Sequence, residues 1–250
     1  MKVLTTIQNK AYQADLSQPI DISIPLVQGL ETVNCFYAPP AAFFPVRAGD
    51  FVGSTQEGGL VNFMNVRLNP HGNGTHTECV GHLAKEIYTI NQSLQQYHFT
   101  AKLISVFPQK QANGDRVIEK WQLEEVLQKG EVQSIIIRTL PNDELKLKTN
   151  YSGANPPYMY HEAVAYLVEC GIEHLLIDLP SVDREEDEGK LLAHKAFWQY
   201  PENPRTHCTI SELIYVPNEV KDGYFLLNIQ TASFELDVSP SKPVVFALKE

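Results

Sequence analysis

The sequence predicts an α/β fold, with a mixed β-sheet or an open barrel-like core flanked by helices. Three observations carry that expectation. The short apolar runs Ile135-Ile136-Ile137 and Leu175-Leu176-Ile177 are of the kind buried on both faces of a sheet. Between them, Tyr160, Ala163, Val164, Leu167 and Val168 mark one face of a helix that Gly171 can end. Strand, helix, strand in that order implies at least one parallel pairing through a crossover helix.

The remaining elements follow from the same patterns. Residues 20–24 alternate like a half-buried strand, whereas Pro39-Pro40 and Gly58-Gly59 punctuate a loop region over residues 31–60. Residues 62–69 alternate again and read as a strand that delivers the chain to Pro70-His71. Leu123, Val126 and Leu127 give a helix over residues 118–129, with Gly130 as its stop. Residues 213–216, 224–229 and 244–248 read as further strands. No repeat, low-complexity tract or linker divides the chain, so residues 1–250 are expected to form one domain.

Composition narrows the function. With 43% hydrophobic and 20% charged residues the chain is ordinary for a globular protein. A formal net charge of −10 opposes a nucleic-acid partner and docking onto an anionic membrane, both of which rely on clustered Lys and Arg. The amino terminus lacks the apolar run of a signal peptide, and no stretch approaches the roughly 18 apolar residues that span a bilayer. Cys35, Cys79, Cys170 and Cys208 are scattered, with no CxxC pair. A cytoplasmic address is the expectation.

The chemistry concentrates in residues 69–82, where His71, His76, Glu78 and His82 stand in a turn-forming stretch containing Gly72, Asn73 and Gly74. Such a loop can bring several side chains to one point, and His76 and Glu78, two apart, point the same way from an extended segment. Imidazole and carboxylate are the usual ligands of zinc and similar metals; the alternative is a solvated polar loop. Glu212, between Ile210 and Leu213-Ile214, is a carboxylate that would need a partner if buried. Of the other histidines, His194 by itself reads as a hydrogen-bonded residue near a helix, with His207 its rival for any further role, and His98, His161 and His174 receive no role. The run Arg184-Glu185-Glu186-Asp187-Glu188 reads as a solvated loop. Cys79 lacks the surroundings of a reactive thiol, Asp183 could support a ligand, and Phe36, Tyr37 and Trp198 are candidates to line an aromatic pocket.

The segment resembles the signature HxGTHxDxPxH of the cyclase-like metal hydrolases, which include the bacterial kynurenine formamidases. Gly74-Thr75-His76 matches its GTH, Glu78 falls on the Asp and His82 on the final His. Ile20-Asp21-Ile22-Ser23 resembles the family's first strand. Asp178-Leu179-Pro180-Ser181-Val182-Asp183 resembles its D-x-x-S-V-D segment, followed by His194 and Ile210-Ser211-Glu212-Leu213. The matches run in order from about residue 18 to residue 230. Three features depart from the pattern. Four residues separate His71 from His76 where the signature has three, Glu78 replaces Asp, and no proline stands between Glu78 and His82.

The resemblance implies a swivelling β/β/α type of fold and a homodimer or homotetramer. It implies that His71 and His76 bind one metal, that Glu78 bridges to a second held by His194, that Glu212 contacts both, and that His82 transfers protons. Zn2+ is the expected ion, one or two per chain, with Mn2+ the alternative. The implied activity is hydrolysis of an amide or lactam, with N-formylkynurenine as leading substrate. An isatin-type hydrolase and a non-catalytic ligand-binding relative are the rivals.

Overall fold

The buried apolar runs of the second half form the middle of a nine-stranded sheet in the computed structural model, which describes residues 1–250. Its strands are β1 (Ile20–Asp21), β2 (His76–Glu78), β3 (His98–Val106), β4 (Ser134–Thr139), β5 (His174–Ile177), β6 (Thr209–Glu212), β7 (Gly223–Asn228), β8 (Val238–Pro240) and β9 (Val244–Ala247). Their spatial order is β8-β2-β6-β5-β4-β3-β7-β9-β1. The central neighbours β3, β4, β5 and β6 are parallel, and the pairings outside them are antiparallel. The sheet is therefore mixed, as the sequence predicts, and it curls into a half-barrel.

Four helices accompany it: α1 (Ile90–Ser93), α2 (Lys120–Glu124), α3 (His161–Glu169) and α4 (Leu192–Trp198). The last three are the crossovers between successive parallel strands. Period-2 alternation divides the strands between two cores. Ile135, Ile137, Leu175, Ile177 and Ile210 pack against Leu123, Val164, Leu167, Phe197 and Trp198 on the helix side. Ile136, Leu176, Leu103, Phe225 and Leu227 fill the concave side with Ile22, Ile90 and Leu94.

Several boundaries differ from expectation for local reasons. The helix expected over residues 118–129 is only Lys120–Glu124; it opens on a capping box between Glu119 and Gln122, and Val126 lies exposed beyond it. The strand expected at residues 213–216 lies earlier, because Leu213 takes φ +54° and turns the chain off β6. Those apolar residues are buried all the same, with Tyr215 N–H donating to the carbonyl of Ile22. The loop over residues 31–60 contains the short strands Ala42–Pro45, Arg47–Ala48 and Phe51–Val52, and the first of these pairs with Met64–Arg67. That pair forms an arm outside the main sheet and leaves Phe44, Phe63 and Val66 exposed.

His174, at the start of β5, is buried at 3% exposure and bonds through Nδ1 to Thr209 Oγ1 at 2.8 Å. Burial, with His207 and Arg205 nearby, lowers its pKa from 6.5 to about 3. Below pH ~6.5 the unfolded chain takes up this proton and the folded chain does not, so stability is full above that pH and falls with falling pH until about pH 3. The loss is on the order of 3–5 kcal/mol across that window. Urea midpoints measured between pH 7 and 4 in metal-free buffer should fall less steeply for His174→Gln than for the wild type; equal slopes would contradict the assignment.

Candidate metal centre

Register places the central residues. On β2, His76 and Glu78 share one face, and β6 runs antiparallel beside it with Glu212 opposite His76 and Ile210 opposite Glu78. Glu212 therefore meets its neighbour directly, with Oε2 3.3 Å from His76 Nε2. Thr75 fixes the approach to β2: its hydroxyl accepts from Ile24 N–H at 2.8 Å and donates to the carbonyl of Leu213. Helix α4 lies over the same face and delivers His194, whose Nε2 stands 3.1 Å from Glu78 Oε1 and 3.7 Å from Glu212 Oε1.

The longer stretch between His71 and His76 does not exclude His71. Asn69 and Asn73 close the extra residue into a turn, with Asn73 Oδ1 accepting from Asn69 N–H at 2.7 Å and Asn69 Oδ1 from Gly72 N–H at 3.1 Å. Gly72 is needed there, since a Cβ would stand 2.3 Å from that of Ala38. The chain turns back, and His71 Nδ1 comes within 3.1 Å of Glu78 Oε2. The structure thus brings together His71, His76, Glu78, His194 and Glu212, and places His82 beside them with Nδ1 3.6 Å from Glu78 Oε2.

Each ring of this group has one nitrogen turned inward and one anchored outward. His76 Nδ1 lies 2.9 Å from the carbonyl oxygen of Gly74, His194 Nδ1 2.6 Å from Asp183 Oδ2, and His71 Nε2 3.0 Å from Asp237 Oδ2. All three outer partners are acceptors, so in the neutral rings the outer nitrogens carry the protons and the inner ones present lone pairs. His76 Nε2 is fully buried with no hydrogen-bond partner, although Glu212 Oε2 is close. A lone pair facing a carboxylate oxygen in a buried setting is unfavourable by itself and is resolved by a cation shared between them. The donor set, nitrogens and carboxylate oxygens, suits zinc or manganese. The residues fit a metal ion.

Charge tells the same story. Burial works against ionisation of Glu78, yet His82, His194 and His71 hold its pKa well below the ordinary carboxylate range. Burial likewise opposes protonation of His71, but Asp237 and Glu78 raise its pKa to about 10. His194 is also raised, by Asp183 and Glu78 against its burial. The pocket is built to hold positive charge, and a divalent ion competes with protons for it.

Two segments support the cluster. Asp178 and Asp183, the ends of the D-x-x-S-V-D segment, have separate tasks. Asp178 is buried, accepts from Thr139 N–H at the end of β4 and pairs with Lys146 Nζ at 2.8 Å, which ties neighbouring strands together. Asp183 accepts from the backbone N–H groups of Ala193 and His194 as well as from the His194 ring, so it seats α4 and orients the imidazole at once. Asp237 is the residue that sequence reasoning missed. It lies between Leu236 and Val238, the same apolar setting that singles out Glu212.

Other expectations are settled by position. His207 is exposed, 3.9 Å from Glu173, and lies outside the cluster that His194 joins. Cys79 is buried and burial raises its thiol pKa, which leaves it unreactive. Trp198 is a core residue stacked on His194, with ring centroids 5.5 Å apart, and Tyr37 is largely exposed; of the three aromatic candidates only Phe36 lines the cavity beside the cluster. That cavity measures about 320 Å³ and includes Ser181, Arg184, Glu185 and Asp187. Part of the acidic run is therefore the mouth of the site rather than a free solvated loop.

Comparison with known proteins gives the family and the fold. A kynurenine formamidase from Bacillus thuringiensis (strain Al Hakam) is 26% identical over 193 residues, 77% of this chain and 83% of the relative. One from Bacillus anthracis is 24% identical over the same shares. Among solved structures, a predicted metal-dependent hydrolase from Bacillus stearothermophilus superposes with a TM-score of 0.62 at 15% identity, covering 92% of this chain and 98% of that one. Isatin hydrolase A from Labrenzia aggregata, bound to benzyl benzoate, does so with a TM-score of 0.62 at 12% identity, covering 93% and 94%. These structural likenesses establish the fold. The family model described as "Putative cyclase" matches residues 14–184. The chain belongs to the cyclase family, as a divergent member.

Proposed function

We propose that the protein is a metal-dependent hydrolase of amide or cyclic amide C–N bonds, with N-formylkynurenine as its leading substrate and kynurenine and formate as products. The observation that carries this reading is the convergence of three anchored imidazoles and two carboxylates on one buried point, with His76 Nε2 left without a partner. His71, His76 and His194 would hold the metal through their inner nitrogens, with Glu78 and Glu212 as the shared carboxylates. A bound Zn2+ or Mn2+ would polarise the substrate carbonyl and lower the pKa of water beside it.

The chain's own residues account for the rest. Hydrolysis of an amide adds water to the carbonyl carbon, breaks the C–N bond and requires a proton on the departing nitrogen. His82 lines the cavity, and its Nδ1 stands 3.6 Å from both Glu78 and Asp237. A partly exposed imidazole next to carboxylates is suited to take a proton from the attacking water and return it to the nitrogen. Phe36 gives the cavity an apolar surface for an aryl ring, and about 320 Å³ suits a small substrate. The names of the relatives, kynurenine formamidase and isatin hydrolase, support a linear or a cyclic aryl amide respectively. No helix is long and apolar enough to cross a membrane. The exposed apolar side chains of the arm, Phe44, Phe51, Phe63 and Val66, support the homo-oligomer that the family resemblance implies.

Substitution His82→Asn should lower kcat by about 10²–10⁴-fold, the usual contribution of a general acid–base, while bound metal stays at the wild-type level. Loss of metal together with activity would instead make His82 a ligand. A panel containing N-formylkynurenine, formanilide, isatin and a small aryl lactone, assayed with zinc-loaded and with manganese-loaded protein, should give the highest kcat/KM on N-formylkynurenine. Preference for isatin would move the assignment to the cyclic amide, and no turnover of any member would favour a ligand-binding protein.

A further inference from the structure

Asp237 reaches the cluster from a part of the chain remote in sequence from the other members. Its backbone carbonyl accepts from Cys79 N–H at 2.9 Å, and the following residues form β8, antiparallel to β2 with Val238 opposite Glu78. The side chain is set beside the two rings that flank Glu78. Oδ2 stands 3.0 Å from His71 Nε2 and 3.6 Å from His82 Nδ1, and those ring centroids are 4.5 Å apart. Gly81 makes this approach possible: a Cβ there would lie 3.0 Å from Asp237 Cβ and 2.1 Å from the carbonyl oxygen of Tyr88. The glycine and the aspartate fit one another, and a larger residue at position 81 would push the carboxylate away.

His71 is the ring that most needs an external anchor. It lies outside the register of β2, in the lengthened turn before the strand, and is the most exposed of the three inward-facing histidines. His76 is anchored by a carbonyl two residues away and His194 by an aspartate that also seats its helix. His71 has only Asp237 on its outer side.

We propose that Asp237 is the positioning residue of this centre: by accepting the His71 Nε2 proton it makes Nδ1 the metal-facing atom and so keeps His71 in the ligand set despite the extra residue in its loop. The inference rests on the metal-centre reading above. A neutral acceptor of the same shape can do the same work, which separates a positioning role from direct ligation: the Oδ1 of Asn accepts a hydrogen bond but is a much weaker ligand than a carboxylate.

The test is zinc affinity, measured by competition with a chromophoric chelator at fixed pH for the wild type, Asp237→Ala and Asp237→Asn. Loss of an outer hydrogen-bond partner typically costs about 10–100-fold in metal affinity. Asp237→Ala should therefore weaken zinc by about that factor, while Asp237→Asn recovers most of it. In the zinc-loaded wild type, the ¹⁵N shifts of the His71 ring should show Nε2 protonated and Nδ1 without a proton. Wild-type affinity in Asp237→Ala would overturn the proposal. So would a failure of Asp237→Asn to recover affinity, or a His71 ring protonated at Nδ1. A wild type that binds no zinc would overturn the metal centre itself, and the two failures are thus distinguishable. Circular dichroism of both variants separates loss of zinc from loss of the fold.

Discussion

The structure depends on two carboxylates, Glu78 and Glu212, held on adjacent antiparallel strands with almost no access to water. Taking such charges out of water is costly unless opposite charge is supplied close by. The surrounding architecture supplies it from three directions. His76 comes from the strand that carries Glu78, His71 from the turn before it, and His194 from the crossover helix α4. His71 and His76 belong to one segment at the edge of the sheet and His194 to helix α4, so the centre also fastens the mixed edge of the sheet to its helical layer.

Each imidazole is then oriented from outside by a different kind of acceptor: a local carbonyl, the aspartate that seats α4, and an aspartate from the segment entering β8. Outer partners of this sort fix which nitrogen carries the proton and so which one can ligate. The centre lies beyond the carboxyl ends of parallel strands, where loops converge and where open α/β sheets commonly bind ligands. Asp178 and Lys146 hold those strand ends together, and the segment after Asp183 forms the mouth of the cavity. Fold and site are in this way one construction.

Much of this was legible in the sequence. Continuous apolar runs located the central parallel strands, and the turn-rich stretch of residues 69–82 located the cluster, because ligand-type residues there have few other reasons to converge. Two things were not legible. The strand expected at residues 213–216 is apolar because those residues are buried, and periodicity cannot reveal that Leu213 adopts a left-handed backbone and ends β6 one residue earlier. Asp237 shares the apolar setting that drew attention to Glu212, but no sequence pattern located it. Its partners lie more than 150 residues away, and only the pairing of β8 with β2 brings it to His71 and His82. The extra residue between His71 and His76 looked like a threat to His71 as a ligand, but Asn69 and Asn73 absorb it in a closed turn.

The claim on which the account stands is that this cluster holds metal. Elemental analysis of protein purified without chelators and without a histidine tag tests it directly. The account predicts at least about one equivalent of zinc or manganese per chain, falling when Glu78 or Glu212 is replaced by Ala. Protein that carries no metal, even after incubation with either ion, would contradict it.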